Sequence, residues 1–249
     1  MAGHFERLTD SIFLPRWLVH EHEARYAFCR ALVEDRIVLD CGSGEGKGAR
    51  AIAAGRPRLL VAVDRSLPSV ALARGERVVP MAADAERLPI QGKSIDVVIA
   101  LEVIEHMEDP EAFLREVARV LRDGGTFICS TPNRIVRNPS LPLSGRPLNP
   151  WHLREWTADE FRTLLGVDFE TTSLFGQEPQ SPRVTRFFQR LAAIVSRRGA
   201  AILRQLIKFR LLILRPRRYY DVQALGDEAD YEFIVGVCSI PRRSSATGI

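Results

Sequence analysis

The spacing of apolar positions changes near residue 36. Before it, Trp17, Leu18, His20, Tyr26, Phe28 and Leu32 recur loosely at helical intervals behind Pro15, a residue suited to a first helical turn. This predicts a helical lead-in over residues 1–35. After it come short runs rich in β-branched residues at Ile37–Leu39, Leu59–Val63, Val78–Met81, Ile95–Leu101 and Thr126–Ser130. These runs are nearly continuous rather than alternating, which is the pattern of strands buried on both faces of a parallel sheet. The stretches between them, at 46–54, 67–74 and 110–122, suit crossover helices.

The helix at 110–122 has the clearest borders. Asp109 can cap it, Pro110 suits its first turn, and Gly124-Gly125 can end it. Phe113, Leu114, Val117, Val120 and Leu121 recur along it at helical spacing. Residues 132–150 contain five prolines and read as a long loop. Two late strands are predicted near Phe169–Leu174 and Tyr231–Ile240, and a disordered polar tail after Pro241. The fold class expected is α/β, with a doubly wound, mostly parallel sheet.

Residues 183–220 stand apart. Over 183–198, Val184, Phe187, Phe188, Leu191 and Val195 form a stripe, with Arg183, Arg186, Arg190 and Arg197 off it. Gly199 interrupts the pattern, and 200–214 repeats it with Ile202, Leu203, Leu206 and Ile207 beside Arg204, Lys208 and Arg210. Pro216 stops it. A basic amphipathic helical pair is therefore expected as an insert before the last strand, with the core spanning 36–182 and 225–241.

Charge sharpens that division. The formal net charge is +4, yet residues 183–218 carry eleven Arg or Lys and no Asp or Glu, leaving 24 basic against 31 acidic residues elsewhere, a net of −7. No run of apolar residues is long enough to span a bilayer. The N-terminus MAGHFERLTD is too polar for a signal peptide. Cys29, Cys41, Cys129 and Cys238 are far apart, which argues against a zinc site or a disulfide scaffold. Reduced thiols and a cytoplasmic location are expected, with Cys129 and Cys238 packed inside strands.

The first strand runs into Asp40-Cys41-Gly42-Ser43-Gly44-Glu45-Gly46. Such a turn lets backbone approach a ligand, and the helix after it offers free N–H groups to an anion. Asp64 ends the second strand, where a carboxylate can accept both hydroxyls of a ribose. Asp84 follows the third, where it can accept from an adenine amino group. A plain tight turn would account for the glycines but not for acids at the next two strand ends. A hydride-transferring nucleotide enzyme would prefer GxGxxG, whereas this loop reads GxGxG behind an Asp.

In order, VLDCGSGEGKGA, VAVDRS, ADAERLP, SIDVVIALEVIEHMEDP and VLRDGGTFICSTPN resemble the successive motifs of class I S-adenosylmethionine-dependent methyltransferases, over about residues 36–134. The resemblance implies a Rossmann-like, seven-stranded sheet. It also implies a methionine-binding loop of Asp40, Gly42, Gly44 and Gly46, with Asp40 facing the donor's ammonium group. It assigns ribose to Asp64 and adenine to Asp84, and Ala85 and Leu101 complete the cofactor-binding set.

Beyond the cofactor, Glu102-Val103-Ile104-Glu105-His106 follows the fourth strand, and its spacing brings three polar side chains to one face of a helical turn. Two carboxylates and an imidazole can make half of a divalent-metal site, such as one for magnesium or manganese. The segment resembles ubiquinone-type O-methyltransferases, which bind magnesium at this place. With His152 before Glu155-Trp156-Thr157 it also resembles small-RNA 2′-O-methyltransferases, implying Glu102, Glu105, His106 and His152 as ligands. Bacterial methyltransferases of glycans and secondary metabolites are similar through Glu21–Phe28, the segment 149–161 and Gly176-Gln177. Without metal, His106 or His152 can act as general base beside Glu102, or the pair can merely line the cleft.

The expected function is O-methylation of a small-molecule, glycan or lipid-linked acceptor. A metal-dependent RNA 2′-O-methyltransferase and a silent cofactor-binding partner subunit are the alternatives. For the insert, peripheral contact with the inner face of a membrane competes with a phosphate contact to nucleic acid and with a lid or dimer surface. Phe187, Phe188 and Phe209 sit on apolar stripes and form no stacking platform, which disfavours RNA.

Overall fold

The computed structural model describes residues 16–138, 141–194, 199, 202–203, 217–226 and 229–241. Helix α1 (Arg16–Arg30) leads into β1 (Ile37–Cys41), α2 (Lys47–Ala53), β2 (Leu59–Asp64), α3 (Leu67–Val70), β3 (Val78–Ala82) and β4 (Ile95–Leu101). A 3-10 turn (Ile104–His106), α4 (Pro110–Val120), β5 (Leu121–Pro132), α5 (Arg134–Arg137), α6 (Ala158–Leu165) and β6 (Thr171–Gln180) follow. The chain closes with α7 (Pro182–Ile194), a 3-10 turn (Arg217–Tyr220), β7 (Gln223–Ala224) and β8 (Asp230–Ser239).

The strands form one sheet in the order β3-β2-β1-β4-β5-β8-β6-β7. The pairs among β1 to β5 are parallel, and β8 lies antiparallel between β5 and β6. The sheet has eight strands rather than the expected seven, because the two-residue β7 adds to the edge of β6. The pattern of the central runs has a direct cause. Successive residues alternate between two cores, one on each face: Val38, Leu60, Ala62, Val97 and Ile99 join one, and Leu39, Val61, Val63, Val98 and Ala100 the other. Both faces are covered by helices, so nearly every position is apolar, the exceptions being Asp40, Asp64 and Asp96 near the strand ends.

Local chemistry sets the borders. Asp109 accepts from the Ala112 amide at 2.8 Å and Pro110 opens α4, as expected. Helix α4 buries Phe113, Leu114, Val117 and Val120 and ends two residues early, because β5 begins at Leu121. The predicted loop 132–150 contains α5, capped by Asn133. The expected helix 67–74 is regular only over Leu67–Val70. The late strand near 169–174 is β6, which starts at Thr171 and runs on to Gln180. Helix α6 carries a capping box between Thr157 and Glu160 and buries Phe161 and Leu165. Cys129 and Cys238 are buried in β5 and β8, and all four cysteines are free. Residues 1–15, the tail 242–249 and nearly all of the predicted helix 200–214 lie outside the described residues.

Candidate functional site

Strand order reverses between β1 and β4, since β2 and β3 extend the sheet to one side and β5 to the other. Open α/β sheets bind ligands at the carboxyl ends of strands beside such a reversal. There the structure has a cleft of about 360 Å³, with Gly42, Gly44, Asp64, Ala85, Leu101 and Glu102 in its walls.

The glycine turn is shaped by two close approaches. Gly46 has φ +79°, and a Cβ on it would lie 2.4 Å from the Ala73 backbone. Gly44 has φ +52°, and a Cβ there would meet nothing within 4 Å, because the cleft opens above it. The Ser43 amide donates to the Val63 carbonyl at 2.9 Å, which pins the turn to β2.

The three acids are placed differently. Asp64 faces the cleft, and its Oδ2 accepts from the Gly44 amide at 3.0 Å while Oδ1 accepts from the Ser66 amide at 2.8 Å. The two backbone amides fix the carboxylate at the cleft wall, the place a ribose-binding acid occupies at the end of a second strand. Asp40 does not line the cleft. It is buried behind the turn, and its Oδ2 has no hydrogen-bond partner. Burial, with the nearby Asp64 charge, pushes its carboxyl up to about 8. Asp84 also lies off the cleft wall, half-exposed at the rim. There it accepts from the Glu86 amide at 3.0 Å and faces Arg65 at 3.7 Å, while Ala83 and Ala85 form the wall. Gly46 stands behind the wall as well.

The segment after β4 forms the opposite wall. Glu102 has φ +56°, and its Oε1 accepts from the Ser130 hydroxyl at 2.8 Å. His106 lines the cleft, and its Nδ1 lies 3.0 Å from the Trp151 carbonyl. A carbonyl can only accept, so Nδ1 is the donor in this contact, which in the neutral ring puts the lone pair on Nε2. His152 is buried, and its Nδ1 lies 2.7 Å from Glu155 Oε1; Asn138 holds the other Glu155 oxygen. The two imidazoles meet edge to face at 5.0 Å.

Glu105 is wholly buried, and neither carboxylate oxygen has a hydrogen-bond partner. Burial and the Glu102 charge raise its pKa well above the ordinary carboxylate range. One ligand atom each from Glu105, His106 and His152 falls within 4.8 Å of the others. Glu102 is not among them, in contrast to the four-ligand expectation, and its carboxylate is instead held by Ser130.

Several cleft residues were not anticipated as such. His22 and Tyr26, one helical turn apart on α1, line the cofactor side, and Met107 and Trp151 line the acceptor side. The i, i+4 spacing in Glu21–Phe28 was the available signal. The same helix turns Glu21 and Arg25 inward. Arg25 donates to Gln177 Oε1 at 2.5 Å and stacks 4.5 Å from the Phe233 ring centroid. Arg25 also approaches His22 Nδ1 at 3.3 Å, and burial followed by the Arg25 charge lowers the His22 pKa. His22 is therefore neutral, with Nδ1 as acceptor.

Residues 39–129 match the methyltransferase domain family. The chain is 40% identical over 162 residues to a Mycobacterium tuberculosis protein named "Probable S-adenosylmethionine-dependent methyltransferase", covering 64% of this chain and 58% of that one. It is 34% identical over 131 residues to a ubiquinone biosynthesis O-methyltransferase of Sinorhizobium medicae, covering 50% and 52%. The chain thus spans little more than half the length of these relatives. A solved S-adenosylmethionine-dependent methyltransferase of Thermotoga maritima shares the fold at a TM-score of 0.58 and 18% identity, over 90% of this chain and 93% of that one. Sequence motifs and strand order agree with these likenesses: residues 39–129 match a methyltransferase domain, set in a fold shared with solved methyltransferases.

Proposed function

We propose that this protein transfers a methyl group from S-adenosylmethionine to a hydroxyl oxygen of a small-molecule, glycan or lipid-linked acceptor, with His106 as general base. The observation that carries this reading is the His106 imidazole in the cleft wall, its Nδ1 proton committed to the Trp151 carbonyl and its Nε2 carrying the lone pair. The donor supplies an already activated methyl on a sulfonium centre. The chain's part is to align an oxygen with it, exclude water and take up one proton.

On this reading the Gly42–Gly44 turn and Asp40 hold the methionine end and Asp64 holds the ribose. Asp84 reaches adenine from the rim, beside Ala85. Asp40 lies behind the turn, so its unpartnered Oδ2 would gain the ammonium as a partner once the turn shifts to admit the donor. Leu101 and Met107 exclude water. Glu102, steadied by Ser130, lines the acceptor side and helps to orient the acceptor, while the hydroxyl proton points to His106. His152 is a positioning residue: Glu155 fixes its ring, and its ring backs His106. As the new C–O bond forms and the C–S bond breaks, the hydroxyl proton passes to His106 Nε2.

The test is methyl incorporation from isotope-labelled S-adenosylmethionine into a cell extract of acceptors. His106→Gln should cut the rate at least about 100-fold, the usual worth of a general base, and leave donor affinity unchanged. Full activity in that variant overturns the assignment.

A second reading has its own observation. The bare Glu105 carboxylate beside two imidazoles whose Nδ1 atoms are each held by an oxygen would suit a divalent-metal site with outer partners. Glu105, His106 and His152 would hold the ion, which would lower the acceptor hydroxyl's pKa. Elemental analysis after dialysis, and turnover with a chelator, decide it: metal-free protein with unchanged turnover removes this reading.

A further inference from the structure

Helix α7 presents an apolar face to solvent. On it, Val184 is 43% exposed, Phe187 56% and Ile194 82%. With Leu191 these positions follow the i, i+3, i+7, i+10 spacing of one helical stripe. The side of the helix that meets the protein is a different one, marked by buried Thr185 and Phe188. Arg183, Arg186 and Arg190 are all exposed, at i, i+3 and i+7 along the flank of the apolar stripe. The helix thus has an inward side, an outward apolar stripe and a basic margin.

We propose that this outward face of α7 docks on an anionic lipid bilayer, with Val184, Phe187 and Ile194 entering the headgroup–acyl boundary and the arginines meeting the headgroup charges. An interfacial helix needs both an apolar face to bury and cations at its edge. Nucleic acid would satisfy the arginines but offers nothing for Val184 and Ile194. A second copy would cover the apolar stripe but bring no counter-charge to the three arginines, since the same face of the helix carries no acid. The remainder of the chain carries 24 basic against 31 acidic residues, so an anionic surface repels it and attracts only the 183–218 region. That asymmetry fixes which side of the molecule meets the membrane. No described helix is long and apolar enough to cross a bilayer, so the contact is peripheral.

Co-sedimentation of the full chain with extruded vesicles tests this without any turnover, so the result is independent of the acceptor and of the base. Vesicles of phosphatidylglycerol and phosphatidylcholine at low salt should bind the chain, and pure phosphatidylcholine should bind it far less. About 0.5 M salt should release most of it. At about 1 kcal/mol for each arginine near an anionic surface, the Arg183→Ala/Arg186→Ala/Arg190→Ala variant should lose about 100-fold in affinity. Phe187→Ser/Ile194→Ser should reduce binding comparably without lowering the melting temperature, since both side chains are exposed. The proposal is overturned if the wild type does not bind, or if both variants bind as the wild type does. It is also overturned if the chain binds an RNA oligonucleotide and not the vesicles, or forms a dimer that Phe187→Ser/Ile194→Ser dissolves.

Discussion

Asp40→Asn should stabilise the cofactor-free protein, and by more as pH rises. The Asp40 carboxyl titrates near 8 in the folded chain against 3.8 when solvated, because burial and the Asp64 charge both oppose its ionised form. Between those values the folded state holds a proton that the unfolded state has given up, so stability falls with rising pH. Each pH unit in that window costs at most about 1.4 kcal/mol, which makes about 3 kcal/mol between pH 5 and pH 7 an upper bound. Asparagine has nearly the same shape and no such proton. Its buried amide costs about 1–3 kcal/mol if left unbonded, but that cost does not vary with pH. The slope is therefore the diagnostic quantity. Melting curves of both proteins at pH 5, 6, 7 and 8 should show the variant gaining on the wild type by about 5–10 °C from pH 5 to pH 7, at about 2–4 °C per kcal/mol for a chain of this size. A gap that stays constant across this range refutes the reasoning. The donor should reverse the effect, since an ammonium beside Asp40 favours the carboxylate. Calorimetry at pH 7 in two buffers of different ionisation enthalpy should then detect proton release on binding, absent in Asp40→Asn.

Glu155→Gln should lower turnover about 10–100-fold while donor affinity stays fixed, because His152 loses the carboxylate that orients its ring; unchanged turnover with an intact melting curve would count against a positioning role. Gly44→Ala and Gly46→Ala separate cofactor access from folding. The first should cost stability by only about 1–2 kcal/mol yet weaken donor binding at least tenfold in a titration, whereas the second should also lower the melting temperature sharply, because its Cβ meets the Ala73 backbone. Thr157→Ala should remove the capping box of α6 at about 1 kcal/mol, read as a fall of about 2–4 °C in the melting temperature, with donor affinity untouched.

The parallel half of the sheet was legible because its central strands β1, β2 and β4 pack on both faces, which forces nearly continuous apolar runs. The full length of β6 was not. Its second half contains Gly176, Gln177, Glu178 and Gln180, and hydropathy gives no reason to bury Gln177 and Glu178. Gln177 is buried because the strand leaves the apolar core and meets α1 and the 217–220 turn, where the Glu21 and Tyr220 carbonyls accept from its amide. Helix α6 was overlooked although Thr157-Ala158-Asp159-Glu160 spells its capping box, since eight residues carry little periodicity. At the site, the glycine turn and Asp64 were readable because local backbone and strand ends place them. Glu155 as the partner of His152, and Trp151 as the acceptor for His106, depend on the fold of the proline-rich segment before them, which no spacing rule supplies.

Helix α1 joins the parts that the motifs left separate. Its residues one turn apart serve two sides at once: His22 and Tyr26 wall the cofactor cleft, while Glu21 and Arg25 face Gln177. The Gln177 amide donates to the Glu21 carbonyl at 2.8 Å and to the Tyr220 carbonyl at 2.6 Å. A single buried side chain on β6 thus ties the cleft wall to the point where the chain returns from the basic insert. The buried Arg25 guanidinium is compensated by this set, with Glu21 at 3.6 Å, the Gln177 oxygen and the Phe233 face all around it. Displacing the 217–220 turn would strip one acceptor from Gln177 and loosen its grip on Arg25. The helix bearing His22 and Tyr26 would be freed with it. The segment after the insert and the cofactor cleft are therefore mechanically one unit, joined through these hydrogen bonds as well as through the packing of His20 on Tyr220 and Phe28 on Phe175.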